Sequence, residues 1–180
     1  MQYRILIVID MQHDFIDGSL GTPEAKEIVD NVRNKIIKCK DAGYEIYFTR
    51  DTHGKKYLQT FEGQHLPVEH CIYETSGWKI HEKLFDVFYL NDGYDIINKH
   101  SFGLSEWTEY LPDSELIDEI QICGLCTDIC VISNALILRA LYPETKIVCD
   151  ASCCAGTTPD MHRKALDIMK NCQIDVINVE

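Results

Sequence analysis

Six short apolar runs, RILIVID, YEIYFTR, DIINK, EIQICG, KIVCD and QIDVINV, recur along the chain, and stretches of helical period such as EAKEIVDNVRNKIIKCKDAG lie between them. Strand and helix in alternation give a parallel sheet, because each helix carries the chain back over the sheet before the next strand begins. The expectation is an α/β fold, three layers α/β/α around a mostly parallel six-stranded sheet. One domain over residues 1–180 accounts for the whole chain, since 180 residues with 46% hydrophobic content can bury one full core. Helix ends are also marked. Thr22 before Pro23 and Gly43 after Ala42 frame one helix, and later helices are expected over Thr127 to Leu141 and Pro159 to Asn171.

A formal charge of −12 would repel phosphate backbones and anionic membranes on approach. The expected partner is therefore a small molecule or another protein, with no nucleic acid and no membrane; a homo-oligomer is neither required nor excluded. No apolar run approaches the roughly 20 residues that cross a bilayer, and the apolar start Ile5 to Ile9 ends at once in Asp10, so no signal peptide is read. Nine cysteines are too sparse for a small disulfide scaffold, and several lie inside apolar runs where a reduced, buried thiol is common. The cytoplasm is the expected compartment.

Ligands of an open parallel sheet bind beyond the carboxyl ends of its strands, so the residues that end the strands belong together. The first strand ends at Asp10, the second at Arg50-Asp51, the DIINK strand at Lys99, and EIQICG leads through Gly124 to Cys130. Asp10 alone would read as a turn residue and Lys99 alone as a solvated lysine. Together, Asp10, Lys99 and Cys130 supply a base, a charge stabiliser and a nucleophile. Thr127 or Asp128 can cap the following helix and leave Cys130 in its first turn, where unpaired N–H groups and a nearby ammonium favour a thiolate.

Two neighbouring cysteines complicate that reading. Cys123-Gly124-Leu125-Cys126 is formally a C-x-x-C, and with Cys130 it offers three cluster ligands. A redox C-x-x-C sits at a helix start, whereas Cys123 reads as the last residue of a strand, and an iron–sulfur cluster needs a fourth ligand that neither Cys153 nor Cys154 supplies at ferredoxin spacing. Cys123 is assigned to packing, Cys126 to the turn, and Cys153-Cys154 to a packed strand-to-helix turn.

Residues 51–84 break the rhythm, carrying no clear strand and four of the seven histidines. Long irregular loops in compact domains are usually functional or disordered, and the aromatics here, with Leu66-Pro67, favour order. Asp51 and His53 would point to one side of an extended chain, with Glu62 and His70 further along to complete a shell. Imidazole and carboxylate without thiolate suit zinc, manganese or iron(II).

With these residues in view, the chain resembles the isochorismatase-like cysteine hydrolases, and most of all the nicotinamidases. The landmarks are VIDMQHDFIDGSL, TRDTH, EGQHLPVEHC, NKHSF and GLCTDICV, in the family's order and spread over nearly the whole length. The resemblance implies a Rossmann-like hydrolase fold with Cys130 as nucleophile, Asp10 as proton acceptor and later donor, and Lys99 as third member of a triad. It implies a cis peptide between Leu125 and Cys126, and an oxyanion hole from the backbone N–H groups of Cys126 and Cys130. It also implies one divalent metal ion, zinc first, on Asp51, His53 and His70. Where many relatives place another histidine this chain has Lys55, Lys56 and Tyr57, so the fourth ligand falls to Glu62, as in some bacterial members.

The chemistry so implied is hydrolysis of nicotinamide to nicotinate and ammonia through a thioester, a step of NAD salvage, with Phe15 and Phe102 sandwiching the ring. The alternatives are an amidohydrolase of the same superfamily acting on a carbamoyl or ureido compound, an isochorismatase-like enol-ether hydrolase, and, further off, a redox or cluster-binding protein.

Overall fold

The computed structural model describes residues 2–88 and 93–179. Six strands form one sheet in the order β3-β2-β1-β4-β5-β6, and every pairing is parallel. They are β1 (Tyr3–Ile9), β2 (Glu45–Asp51), β3 (Asp95–Lys99), β4 (Ile117–Leu125), β5 (Lys146–Ala155) and β6 (Asp175–Ile177). The helices are α1 (His13–Ile16), α2 (Pro23–Glu27), α3 (Val29–Asp41), α4 (Phe61–His65), α5 (Trp107–Tyr110), α6 (Ile132–Leu141) and α7 (Pro159–Asn171). This is the expected three-layer α/β/α arrangement. Its centre is β1, whose Ile5 to Ile9 are wholly buried, as a parallel strand covered on both faces must be.

Two helices open in the same way. Thr22 Oγ1 accepts from Ala25 N at 3.0 Å with Pro23 in the first turn of α2, and Thr158 Oγ1 accepts from Met161 N at 3.1 Å with Pro159 in the first turn of α7. Such a cap is worth about 1 kcal/mol. The single helix expected from Pro23 to Ala42 is instead two, α2 and α3, divided at Ile28 with φ −80° and ψ −10°. The apolar stripe Ala25, Ile28, Val29, Val32, Ile36, Cys39 runs unbroken across the division and all six are buried. Periodicity therefore reads one helix where one residue's dihedrals make two.

Strand ends shift as well. β4 continues past Cys123 to Leu125, and β5 continues past Asp150 to Ala155, so Cys153 and Cys154 lie within a strand and not in the expected turn. Asp150 does not end its strand because Lys35 Nζ meets its Oδ2 at 2.8 Å beneath the helix layer. Gly124 has φ +123°, and a Cβ there would lie 2.1 Å from Ile9 O. Glycine thus lets the end of β4 close on the end of β1. The strand order reverses direction between these two strands, and such switch points are where open α/β sheets bind ligands. Among the described residues no helix is long and apolar enough to cross a membrane.

Candidate active site

Asp10 follows β1 in the left-handed region, at φ +47°. Thr49 of β2 holds it on two sides, donating its hydroxyl to Oδ1 at 2.6 Å and accepting the Asp10 N–H at 3.2 Å. Oδ2 faces Lys99, the last residue of β3, whose Nζ stands 2.6 Å away. The same ammonium lies 3.6 Å from Cys130 Sγ and donates to Ser101 O at 3.0 Å. Asp10, Lys99 and Cys130 are 0%, 1% and 4% exposed, so three reactive groups from three strand ends meet out of bulk water.

Burial pushes the Asp10 carboxyl above its usual range, with Lys99 opposing. Burial works against the Lys99 ammonium, but Asp10, Cys130 and Asp51 outweigh it and hold the charge on. Burial pushes the Cys130 thiol well up, and Lys99 only partly offsets this. Burial therefore works against the thiolate expected at this helix start, and the Lys99 ammonium works for it. Neither Thr127 nor Asp128 makes the expected side-chain cap. Thr127 Oγ1 bonds His162 Nδ1 at 2.8 Å, and Asp128 accepts from the Thr157 N–H and hydroxyl at 2.8 and 2.6 Å. Cys130 sits in a π-helical turn, Thr127–Val131, that leads into α6.

The Leu125–Cys126 peptide is cis. Cys123 is wholly buried and all nine cysteines are free, so the C-x-x-C has no accessible sulfur at its first position.

Beside the Asp10–Lys99–Cys130 cluster, Asp51, His53, Glu62 and His70 bring one ligand atom each within 4.8 Å of the others. His53 Nε2 lies 2.9 Å from Asp51 Oδ2 and 3.6 Å from Glu62 Oε1, and His70 Nε2 lies 3.6 Å from both carboxylates. His70 Nδ1 donates to Val68 O at 2.8 Å, which turns Nε2 toward the group, as a backbone carbonyl behind a metal-bound imidazole does. Asp51 Oδ1 is buried without a hydrogen-bond partner, 3.5 Å from Lys99 Nζ. Burial raises the Asp51 carboxyl, yet His53, His70 and Lys99 together hold it well below the carboxylate range. Glu62 is pushed up by burial, with the two histidines opposing. Two imidazoles and two carboxylates fit a divalent ion of the zinc, manganese or iron(II) kind.

A cavity of about 310 Å³ opens onto both groups. Cys130 and Cys126 line it on one side, Asp51, Glu62 and His70 on another, and Phe15 and Phe102 contribute rings. Phe15 is buried and packs 5.5 Å from the His70 ring, whereas Phe102 is half-exposed at 45%. A second cavity of the same volume, between α2 and α7, contains none of the triad or metal-group residues.

Several residues here carry no signal in the sequence. Gln12 is fully buried; its Nε2 donates to Asp51 O and Trp78 O at 2.9 and 2.8 Å, and its Oε1 accepts from Asp51 N at 2.7 Å. It clamps the backbone of a metal-group residue from both sides. Asn134 Oδ1 accepts from Leu104 N and Trp107 Nε1, and its Nδ2 donates to Phe102 O and Cys130 O. One side chain thus ties the Phe102 loop to the Cys130 backbone. Tyr57 packs its ring on both His53 and His70, at 4.6 and 4.9 Å. Gln12 lies within VIDMQHDFIDGSL and Tyr57 where many relatives carry a histidine, neither pattern marking its role, and Asn134 has no signal at all.

The profile of the isochorismatase family, described as "Isochorismatase domain", matches residues 4–180. The nicotinamidase of Saccharomyces cerevisiae is 24% identical, over 97% of this chain and 99% of its own. The nicotinamidase of Escherichia coli is 28% identical, over 87% of this chain and 84% of its own. Among solved structures, the pyrazinamidase of Pyrococcus horikoshii in complex with zinc aligns with a TM-score of 0.80 at 26% identity, covering 98% of this chain and 99% of that one. A profile match across almost the full length, on a sheet that sets a thiol, a carboxylate and an ammonium at its switch point, places the chain in the isochorismatase family.

Proposed function

We propose that this hydrolase cleaves nicotinamide to nicotinate and ammonia, as a step of NAD salvage, with Cys130 as nucleophile. The observation that carries the reading is one cavity shared by a Cys130–Lys99–Asp10 cluster and a separate imidazole–carboxylate group.

Burial raises the Asp10 carboxyl and so strengthens it as a base toward the Cys130 thiol, to which it is linked through the Lys99 ammonium. Asp10 takes the Cys130 proton as sulfur attacks the amide carbonyl. The Lys99 ammonium, held charged, offsets the negative charge on sulfur and on Asp10 in turn. The tetrahedral oxyanion is received by the backbone N–H groups of Cys126 and Cys130. Asp10 returns its proton to the departing nitrogen, so ammonia leaves and a thioester remains. Asp10, again a carboxylate, then takes a proton from water as it attacks the thioester, and the proton passes to Cys130 sulfur as nicotinate leaves.

Asp51, His53, Glu62 and His70 would hold one divalent ion, zinc in the first place. Such an ion supplies a Lewis-acid position for a ring nitrogen. Phe15 and Phe102 orient the ring between them and keep water from the carbonyl face. The chain's own residues thus separate the two tasks, one side holding the ring and the other attacking the amide.

Ammonia release from nicotinamide, measured before and after chelation and after zinc is restored, tests the reading. Turnover that falls on chelation and returns with zinc is expected. Full activity on a carbamoyl compound with none on nicotinamide would assign the site to another amidohydrolase of the family.

A further inference from the structure

We propose that His13, His81 and Glu82 form a second divalent-cation site, for zinc or a neighbouring late transition ion, apart from the Asp51 group. Among the described residues this is the one other cluster whose imidazole and carboxylate atoms all lie within 4.8 Å of one another.

One spacing matches the first group, while the ring arrangement differs, stacked here and edge-on there. His13 Nε2 stands 2.9 Å from Glu82 Oε2, the same spacing as His53 Nε2 to Asp51 Oδ2. The His13 and His81 rings stack with centroids 5.0 Å apart and planes 24° from parallel, so the two imidazoles are already neighbours and one ring has to turn for both in-plane nitrogens to meet an ion. Bonds of about 2.0–2.1 Å to a tetrahedral ion put ligand atoms roughly 3.3 Å apart, so the His13–Glu82 pair has to open by only a few tenths of an ångström.

The first histidine is also oriented from behind. His13 Nδ1 pairs with Asp17 Oδ1 at 3.0 Å, one helical turn on, which places the Nδ1 proton on the carboxylate side and leaves Nε2 to face Glu82. A carboxylate behind an imidazole fixes tautomer and ring angle and raises ligand basicity.

The backbone that carries these side chains is fixed. His13 N donates to Lys79 O at 3.0 Å, His81 N donates to Met11 O at 2.9 Å, and Gln12 and Ile80 form an antiparallel bridge between them. The two histidines therefore stand on facing arms of a short clasp. Two contacts oppose ligation: His81 Nδ1 accepts from Lys83 N, at a long 3.3 Å, and His13 Nε2, which faces the Glu82 carboxylate at 2.9 Å, has to give up its proton to the incoming ion. Both rings are half-buried and Glu82 is exposed, so water completes the shell and the ion is held more weakly than in the buried group. Two imidazoles and one carboxylate select transition ions over magnesium or calcium. The chain's charge of −12 favours any cation.

The site joins the segment after Asp10 to the loop that ends near Leu84. An ion there would staple the arm bearing Phe15 without entering the cavity. The test is equilibrium dialysis of metal-stripped protein against zinc, with the visible spectrum of cobalt(II) as a second readout. Two equivalents are expected for the wild type, the second weaker. H81A and the double variant H81A/E82Q should keep only the tight equivalent, and H53A only the weaker one. Thermal unfolding should move upward with the second equivalent in the wild type and not in H81A. Saturation at one equivalent, or a second equivalent that survives in H81A/E82Q, would overturn the proposal and leave His13 a histidine paired with two carboxylates. The outcome is independent of which amide the enzyme cleaves.

Discussion

The Lys99 ammonium stands 2.6 Å from Asp10 Oδ2, with both side chains almost wholly buried, and reaches Cys130 Sγ at 3.6 Å with the same nitrogen. Burial pushes the Asp10 carboxyl up, and Lys99 is the group that opposes this and favours the carboxylate. Lys99→Met should therefore remove the base as well as the charge beside the thiol. Hydrolysis should fall more than about a hundredfold, or ~2.7 kcal/mol of transition-state stabilisation. Alkylation of Cys130 at neutral pH should slow in parallel. An alkylation profile against pH that overlays the wild type would make Lys99 a bystander.

The three cysteines of QICGLCTDICV should separate cleanly. Cys130→Ala deletes only a sulfur at the cavity wall, so the variant should fold and lose turnover. Cys123 is fully buried in β4, and Cys123→Ala should keep activity within about tenfold, ~1.4 kcal/mol of barrier, while unfolding at a lower denaturant concentration. Burial pushes the Cys126 thiol up to about 12, and it is Cys130 whose sulfur meets the Lys99 ammonium at 3.6 Å, so Cys126→Ser should also remain active. Equal loss from all three would point to a shared sulfur function. Circular dichroism and ammonia release decide it.

The fold is legible because β1, β2 and β4 read as apolar runs, and the Asp10–Lys99–Cys130 cluster because each member ends a strand or follows one within a few residues. What failed to show depends on contacts far apart in sequence. Thr49 meets Asp10 across 39 residues, through the β1–β2 register that pairs Val8 with Phe48, and no local pattern marks it. Asn134 looks like any polar residue in a helix until Leu104 and Trp107 arrive to fill its oxygen. Asp150 misled in the opposite direction, since a charge in an apolar run reads as a strand end unless its buried partner Lys35 is known. Local chemistry is visible in sequence; satisfaction of buried polar groups is not.

The four groups of the Asp51 cluster should not contribute equally to metal affinity. Asp51 and His70 side chains are 4% and 2% exposed, and Gln12 fixes the Asp51 backbone, whereas the Glu62 side chain is 21% exposed on a short helix. Asp51→Asn should abolish tight binding. Glu62→Gln, which keeps an oxygen in place, should weaken it by about 10–100-fold, the range typical of a change in support around a site. Competition with a chromophoric chelator, in protein carrying H81A so that only this site is counted, measures both. Equal affinities for the two variants would remove Asp51 from the shell.

The Lys35–Asp150 pair gives a stability prediction with a defined sign. Burial raises the Asp150 carboxyl, but Lys35, Asn178 and Ser152 outweigh it and hold the value below that of an exposed aspartate. Burial lowers Lys35, but Asp150 outweighs it and the ammonium is held up. A depressed acid contributes stability that is complete above its unfolded value, about 3.9, and is lost as pH falls through the folded value. A raised base contributes stability that is complete below its unfolded value, about 10.4, and is lost as pH rises through the folded value. The pair should thus act at full strength from about pH 5 to 9. Asp150→Asn leaves Lys35 nearly buried without its counter-charge, and at pH 7 should cost about 3–5 kcal/mol. The gap to the wild type should begin to narrow below about pH 4, where the unfolded chain takes up the proton, and close as pH falls through the lower folded value. Lys35→Met added to Asp150→Asn should recover part of the loss, because it removes the stranded ammonium. Urea unfolding of the three proteins at pH 7 and pH 3 measures all of this, and a gap that stays constant between the two pH values would show that the pair contributes through shape alone.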